Sequence, residues 1–275
     1  MPAAKPSAQA KAAPGKSNLS KMLKFDVQNY HKVRELFDLP TLSPLAGKAN
    51  KSAPAPGLQL TLLKELDVII GVDEVGRGCL AGPVVSAAVL LPLTRLHPSL
   101  LKSLSELDDS KKLKADVRER ISDVVRASCP YAIGMATPRE IDEINILQAS
   151  LLSMRRAIAA LSEQVGIQKA LVLVDGNKQI KEMPFAQLTV IKGDSKSASI
   201  AAASVVAKVH RDSLMRELAL QYPVYGFDSH KGYPSISHRK AIAEHGHCDE
   251  HRLSFRLLAE VEEELEDAGL ELEQV

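Results

Sequence analysis

The chain lacks several features that would assign it to particular classes of protein. It has no Trp and only 4% aromatic residues, so a core has to be built from Leu, Ile, Val and Ala. Its apolar runs are too short for a membrane-spanning helix, which needs roughly 20 apolar residues, and its first residues show no signal-peptide pattern. The cysteines (Cys79, Cys129 and Cys248) are odd in number and widely spaced, unlike a zinc site or a disulfide framework. These absences favour a cytoplasmic globular protein.

A strong overall charge is also absent, but charge is unevenly distributed. The net charge is +1, whereas residues 1–57 hold nine Lys or Arg and three Asp or Glu. This segment is rich in Ala, Pro, Ser and Lys, which predicts a disordered basic extension with a helix or docking stretch at residues 25–37 at most. Such an extension would add nonspecific affinity for a polyanion. We expect a folded domain over residues 58–256 and an acidic tail over residues 257–275.

The middle of the chain alternates between short apolar runs and longer helical patterns. Predicted strands cover residues 67–72, 84–91, 131–136, 170–174 and 188–191, and predicted helices cover residues 115–126, 140–161 and 199–221. Three early strands close together favour a meander, and later strands alternating with helices favour parallel additions. The predicted fold class is α/β, with a mixed five-stranded sheet flanked by helices and a helical C-terminal part.

Acidic residues follow three of the predicted strands. Asp73 and Glu74 follow the first strand, Asp175 the fourth and Asp194 the fifth. Ligands of α/β sheets bind beyond the carboxyl ends of parallel strands, so these acids would meet at one edge if the strands are neighbours. Clustered carboxylates repel one another unless cations neutralise them, and Mg²⁺ prefers oxygen ligands and substrate phosphates. The pattern indicates metal-assisted phosphoryl chemistry, although an ordinary turn explains Asp175 or Asp194 better when either is taken alone.

Candidate substrate-binding residues lie in predicted loops: Gly76, Arg77, Gly78, Lys111, Lys112 and Tyr233. Glycines allow the backbone to approach a ligand closely, and an arginine between them offers planar donors to a phosphate. A tyrosine can stack on a sugar or base. Each loop taken alone is also explained by a solvated turn.

In combination, six ordered motifs resemble the ribonuclease HII family. They are DEVGRG at residues 73–78 with AGP at 81–83, DSKKL at 109–113, VDGN at 174–177, KGDS at 192–195, residues 199–212, and HKGYP at 230–234. The resemblance covers roughly residues 66–255. It implies an RNase H-like fold, cleavage of RNA in RNA–DNA hybrids, and incision 5′ of a single ribonucleotide in duplex DNA. The products would carry 5′-phosphate and 3′-hydroxyl ends, and the cofactor would be Mg²⁺ or Mn²⁺.

The resemblance also implies roles for individual residues. The metal-binding catalytic acids would be Asp73, Glu74, Asp175 and Asp194. The loop that meets the ribose 2′-hydroxyl would be Gly76, Arg77 and Gly78, with Tyr233 packed against the nucleotide and with Lys111 and Lys112 as phosphate contacts. Two metal ions held by these acids would activate a water and stabilise the leaving oxygen.

Some features depart from the family pattern. His210 stands where relatives usually have Thr, residues 1–57 are not part of the usual catalytic unit, and the C-terminus lacks a clamp-binding motif. We therefore expect a monomer without clamp recruitment. Two alternatives stay open at this stage: a ribonuclease HIII-type enzyme, which would carry a sheet-containing N-terminal domain, and a nonenzymatic nucleic-acid-binding protein that has lost its metals.

Overall fold

A computed structural model of the chain describes residues 18–33, 69–93 and 97–258. Its central sheet has five strands: β1 (Ile69–Val75), β2 (Val84–Leu90), β3 (Tyr131–Ala136), β4 (Leu171–Asp175) and β5 (Ala186–Val190). The strand order is β3-β2-β1-β4-β5. β1 pairs antiparallel with β2 and β2 with β3, whereas β1–β4 and β4–β5 are parallel. The predicted mixed five-stranded sheet is confirmed.

The described helices are α1 (Asn18–Val33), α2 (Pro98–Ser103), α3 (Ala115–Ser128), α4 (Pro138–Val165), α5 (Ala198–Gln221), α6 (Phe227–His230) and α7 (Ile236–His245). Short 3₁₀ turns occupy Gly193–Ser195 and Pro223–Tyr225. The predicted helices correspond to α3, α4 and α5. Helix α4 begins with a capping box, in which the Thr137 hydroxyl accepts from the Glu140 amide and the Glu140 carboxylate accepts from the Thr137 amide. None of these helices is long and apolar enough to cross a membrane, within the residues described.

Helices cover both faces of the sheet. On one face α5 and α3 enclose a core that includes Leu171 and Leu173, and on the other face α4 packs over Val172 and Val174. Both sets of β4 side chains are therefore buried, which explains why this strand is a continuous apolar run rather than an alternating one.

Helix α5 lies directly on β1 because both elements are lined by small residues. The α5 residues Ala201, Ala202 and Ala203 are fully buried. Gly71 of β1 meets the main chain of Ser199, where a methyl group would collide with the Ser199 carbonyl. This close approach fixes the position of α5 relative to the strand that carries Asp73.

The N-terminal segment differs from its prediction. The predicted helix or docking stretch is limited to residues 25–37, whereas α1 already begins at Asn18 and buries Leu19, Met22 and Tyr30 along one face. Between them Asp26 accepts hydrogen bonds from the backbone amide and the hydroxyl of Ser199, both at 2.9 Å. Composition over the whole segment concealed this apolar stripe. The rest of residues 1–57 lies outside the described residues, as does the predicted acidic tail beyond residue 258.

Candidate active site

The four predicted acids converge at one edge of the sheet. Val72 and Val174 are partners in the parallel pairing of β1 with β4, so Asp73 and Asp175 come next on adjacent strands. Asp194 lies in the turn after β5, and the amide of Gly193 donates to Oδ1 of Asp175 at 2.6 Å. β1 extends further than predicted, through Asp73 and Glu74 to Val75, so both acids are strand residues rather than loop residues.

Burial and mutual repulsion act on these carboxylates. Burial raises the pKa of Asp73 well above its ordinary value, and the charges of Glu74 and Asp175 raise it further. Burial also raises the pKa of Glu74, with Arg77 opposing and Asp175 reinforcing this shift. The pKa of Asp194 is raised by burial, with Asp175 contributing. Keeping these clustered and buried carboxylates ionised costs free energy, and a bound cation would remove that cost.

The donor chemistry of this edge fits a hard divalent cation. Its ligating atoms are carboxylate oxygens, which Mg²⁺ and Mn²⁺ prefer and which zinc sites usually combine with nitrogen or sulfur. Across residues 18–33, 69–93 and 97–258, no group of three or more His, Cys, Asp or Glu side chains is arranged so that it could hold a metal ion by itself. Water and substrate oxygens would therefore complete the coordination, as is usual for Mg²⁺.

Residues that sequence analysis did not assign to the site support Asp73. The Ser204 hydroxyl of α5 opposes the rise in the pKa of Asp73 and lies 2.8 Å from the Ser110 hydroxyl. Together with burial, the charge of Asp109 raises the pKa of Asp194. The DSKKL motif contains Asp109, so the sequence offered a signal that this residue belongs to the site. Ser204 lies in a helix whose alanines indicated only core packing, so the sequence offered no such signal for it.

The two candidate lysines are placed differently. The positive charge of Lys111 acts on Asp194 and opposes the rise in its pKa, so Lys111 lies near the acids. Lys112 instead forms an ion pair with Asp108 at 3.3 Å, with 57% of its side chain exposed. The charge of Lys111 therefore acts on one of the acids, whereas Lys112 is paired with Asp108.

The loop of residues 76–78 follows β1 directly. Gly76 has a φ of 94° in the left-handed region, and its α-carbon faces the guanidinium of Arg211. Gly78 is exposed and has no protein atom within 4 Å of the place where a side chain would begin. Between them, Arg77 lies 3.4 Å from Glu74 and keeps about half of its side chain exposed. The backbone around Gly78 is thus open to a ligand.

Two buried arginines hold this loop in shape. Arg211 donates to the carbonyls of Pro83, Ala81 and Lys231 at 2.8–3.0 Å.

Arg252 donates to the carbonyl of Gly82 at 2.8 and 3.0 Å and to that of Arg77 at 3.0 Å. Both guanidinium groups are fully buried and bind carbonyl oxygens. Nothing in the local sequence around either arginine pointed to this role, because their partners are distant in the chain.

Tyr233 borders the same loop. Tyr233 is 38% exposed, the Lys208 ammonium lies 5.7 Å from its ring centre, and its hydroxyl lies near the thiol of Cys79. His210, the departure from the family pattern, lies elsewhere. It lines a cavity of about 480 Å³ between α3 and α5, and none of the four acids lines this cavity.

Comparison with known proteins first places the fold. An RNase HII from Archaeoglobus fulgidus, solved in complex with PCNA, matches with a TM-score of 0.56 and 24% identity, covering 69% of this chain and 95% of that one. A Bst-RNase HIII solved in complex with Mn²⁺ matches with a TM-score of 0.58 and 19% identity, covering 78% and 76%. The fold is therefore the one that ribonucleases HII and HIII share.

Sequence similarity then gives the family. The family model described as ribonuclease HII matches residues 70–258. A ribonuclease HII of Pelodictyon phaeoclathratiforme is 51% identical over 191 residues, which are 69% of this chain and 90% of that protein. The chain belongs to the ribonuclease HII family. It is an enzyme of a metal-dependent nuclease family, which removes the nonenzymatic alternative.

Proposed function

We propose that this enzyme hydrolyses the RNA strand of RNA–DNA hybrids and incises 5′ of single ribonucleotides embedded in duplex DNA, leaving 5′-phosphate and 3′-hydroxyl ends. The observation that supports it best is the convergence of Asp73, Glu74, Asp175 and Asp194 beside an open glycine loop and a partly exposed tyrosine. The acids supply a site for cations next to a phosphodiester, and the loop and ring supply contacts to the sugar.

In this proposal the four acids are the metal ligands and the catalytic residues. When bound, two Mg²⁺ or Mn²⁺ ions supply an activated water and neutralise charge at the leaving 3′-oxygen. The protein contributes position: the amide of Gly193 orients Asp175, and the amide of Glu74 donates to Oδ1 of Asp73 at 2.7 Å. Fixed dipoles of this kind keep the carboxylates in place before substrate arrives.

Substrate discrimination would come from the 2′-hydroxyl, the local difference between the two sugars. Gly78 lets the backbone approach this group, and the exposed guanidinium of Arg77 is available to the adjacent phosphate. Tyr233 would pack against the nucleotide at the RNA–DNA junction. We assign a phosphate contact to Lys111. Lys112 would also contact a phosphate, but only after its ion pair with Asp108 opens. That pair is exposed to solvent, and exposed ion pairs are weak.

A ribonuclease HIII-type specificity is the closest alternative. The solved ribonuclease HIII shares the fold at 19% identity, whereas the matching family model is that of ribonuclease HII. The two specificities differ in the handling of a single embedded ribonucleotide, and a direct assay separates them.

The assay compares three end-labelled duplexes: an RNA–DNA hybrid, DNA with one ribonucleotide, and all-DNA. Each is incubated with Mg²⁺, Mn²⁺ or a chelator. We expect metal-dependent cleavage of the first two, mapped to the 5′ side of the ribonucleotide, and an intact third. Cleavage of the hybrid alone would support the HIII-type alternative. Cleavage in the chelator would refute the metal-binding role of the acids.

A further inference from the structure

Two buried histidines, His238 and His251, are linked to the backbone of Tyr233. Nδ1 of His238 is 3.0 Å from the carbonyl oxygen of Tyr233, and its Nε2 is 3.1 Å from Nε2 of His251. Nδ1 of His251 in turn lies 3.0 Å from the backbone nitrogen and 3.2 Å from the sulfur of Cys248. The ring of His230 stacks on His238, with centroids 4.4 Å apart. His238 and His251 are almost completely buried, so they are interior groups rather than surface bases.

The partners of each ring nitrogen fix where its proton lies. A carbonyl can only accept, so Nδ1 of His238 carries the proton and donates it to Tyr233. In a neutral ring Nε2 then accepts, which requires His251 to donate from its own Nε2. Nδ1 of His251 is left as the acceptor for the Cys248 amide. Burial lowers the pKa of both histidines to about 4, consistent with this neutral chain.

The same C-terminal segment also supports the glycine loop. The backbone amide of Arg252, next to His251, donates to the carbonyl of Leu80 at 2.8 Å, and the amide of Leu80 donates to Gly232 at 2.8 Å. The side chain of Arg252 binds the carbonyl of Arg77. Tyr233 and the loop of residues 76–78 are therefore joined through one continuous set of hydrogen bonds.

We propose that His238 and His251 are positioning residues that set Tyr233 against the loop of residues 76–78 and thereby set the preference for a single embedded ribonucleotide. The proposal rests on the function proposed above for Tyr233. Neither histidine would touch the substrate. His238 acts through the backbone carbonyl of Tyr233, and His251 acts through His238.

The hydrogen bond from His238 to Tyr233 and the hydrogen bond between His238 and His251 together form the relay. Two substitutions of His238 separate these two bonds. The amide nitrogen of His238→Asn can replace Nδ1 and keep the bond to Tyr233, whereas the longer side chain of His238→Gln can replace Nε2 and keep only the bond to His251. His245→Gln, at an exposed position of α7, is the matched control. The readout is kcat/KM on the single-ribonucleotide duplex divided by kcat/KM on the hybrid.

We expect His238→Gln to lower this ratio about fivefold to tenfold, the effect of one buried hydrogen bond. His238→Asn keeps the bond to Tyr233 but loses the one to His251, so it should lower the ratio by a smaller factor of about twofold to fivefold, whereas His245→Gln should keep it within about twofold of the parent. In a Tyr233→Ala background, His238→Gln should cause no further fall. If Tyr233→Ala lowers the ratio and a folded His238→Gln does not, the relay is refuted while the role of Tyr233 stands. If Tyr233→Ala leaves the ratio unchanged, the function proposed for Tyr233 fails first.

A second measurement needs no variant and therefore no assumption about folding. In the full chain labelled with ¹⁵N-histidine, two-bond proton–nitrogen correlations report which ring nitrogen carries the proton. We expect His238 protonated on Nδ1 and His251 on Nε2 at pH 7. A His238 ring protonated on Nε2 would overturn the relay, whatever the variants do.

Discussion

Gly76 is packed against the guanidinium of Arg211, and a methyl group at this glycine would collide with Nε of that arginine. Gly78, two residues further on, has open space around it. The two glycines of one short loop therefore differ in whether the surrounding protein leaves room for a side chain. Gly76 serves the protein, because its φ of 94° and the buried arginine exclude a side chain. The structure itself imposes no such demand at Gly78.

This contrast predicts opposite results for two similar substitutions. Gly76→Ala should lower the free energy of unfolding by about 1–3 kcal/mol, because it combines backbone strain with a clash at Arg211. Gly78→Ala should leave stability within about 0.5 kcal/mol of the parent, as an exposed substitution without clashes does, yet reduce cleavage if the substrate approaches there. Urea unfolding and kcat/KM on both substrates check this pair. A fully active Gly78→Ala would contradict the placement of substrate at this loop.

Local patterns were sufficient to predict the sheet, the long helices and the convergence of the acids. Each acid lies at or near the end of a strand, and strand neighbours in a parallel sheet bring such positions together. The end of β1 was missed because Asp73 and Glu74 are polar, and only the pairing with Ala87 and Ser86 reveals that the strand continues.

Long-range contacts could not be predicted from the sequence. Arg252 binds the carbonyl of a residue 175 positions earlier, and Asp26 binds Ser199 across 173 positions. An arginine whose partners are carbonyl oxygens is not revealed by oppositely charged neighbours or by the hydrophobic periodicity of the sequence. Helix α1 was concealed for a related reason, because its apolar positions find their partner only once α5 is in place.

The carboxyl group of Asp26 predicts a pH-dependent contribution to stability. Burial raises its pKa from 3.8 to about 6 in the folded protein, so folding favours the protonated form. The contribution is therefore greatest at low pH and is lost as the pH rises through about 6. Relative to Asp26→Asn, the parent should become more stable between pH 7.5 and pH 4.5, by roughly 2 kcal/mol. Urea unfolding of both proteins over this range measures the difference. The exposed control Asp123→Asn should show no such change, and a pH-independent difference for Asp26→Asn would contradict the prediction.

The basic residues before α1 predict a salt-dependent contribution to duplex binding. Residues 1–17 contain Lys5, Lys11 and Lys16 and no acid. Deleting residues 1–17 should weaken binding more at low salt than at high salt and reduce the slope of log K against log salt by up to about 0.9 per lysine. Deletion of residues 1–57 is a poor test, since it also removes the buried side chains of α1. Fluorescence anisotropy at several salt concentrations measures the slope. A triple Lys→Gln variant that keeps the parent slope would refute the prediction.

Divalent cation binding by the converged acids is tested most directly by the effect of Mn²⁺ on stability. Thermal and urea unfolding of the full chain would be followed with and without Mn²⁺ for the parent, Asp73→Asn, Asp175→Asn and the exposed control Asp123→Asn. The parent and the control should gain stability, by about 2.7 kcal/mol at a concentration of 100 times Kd. Asp73→Asn and Asp175→Asn should lose most of this gain and be at least as stable as the parent in chelator, because one repelling carboxylate is gone. An equal gain with Mn²⁺ in Asp73→Asn and in the parent would show that the metal binds elsewhere.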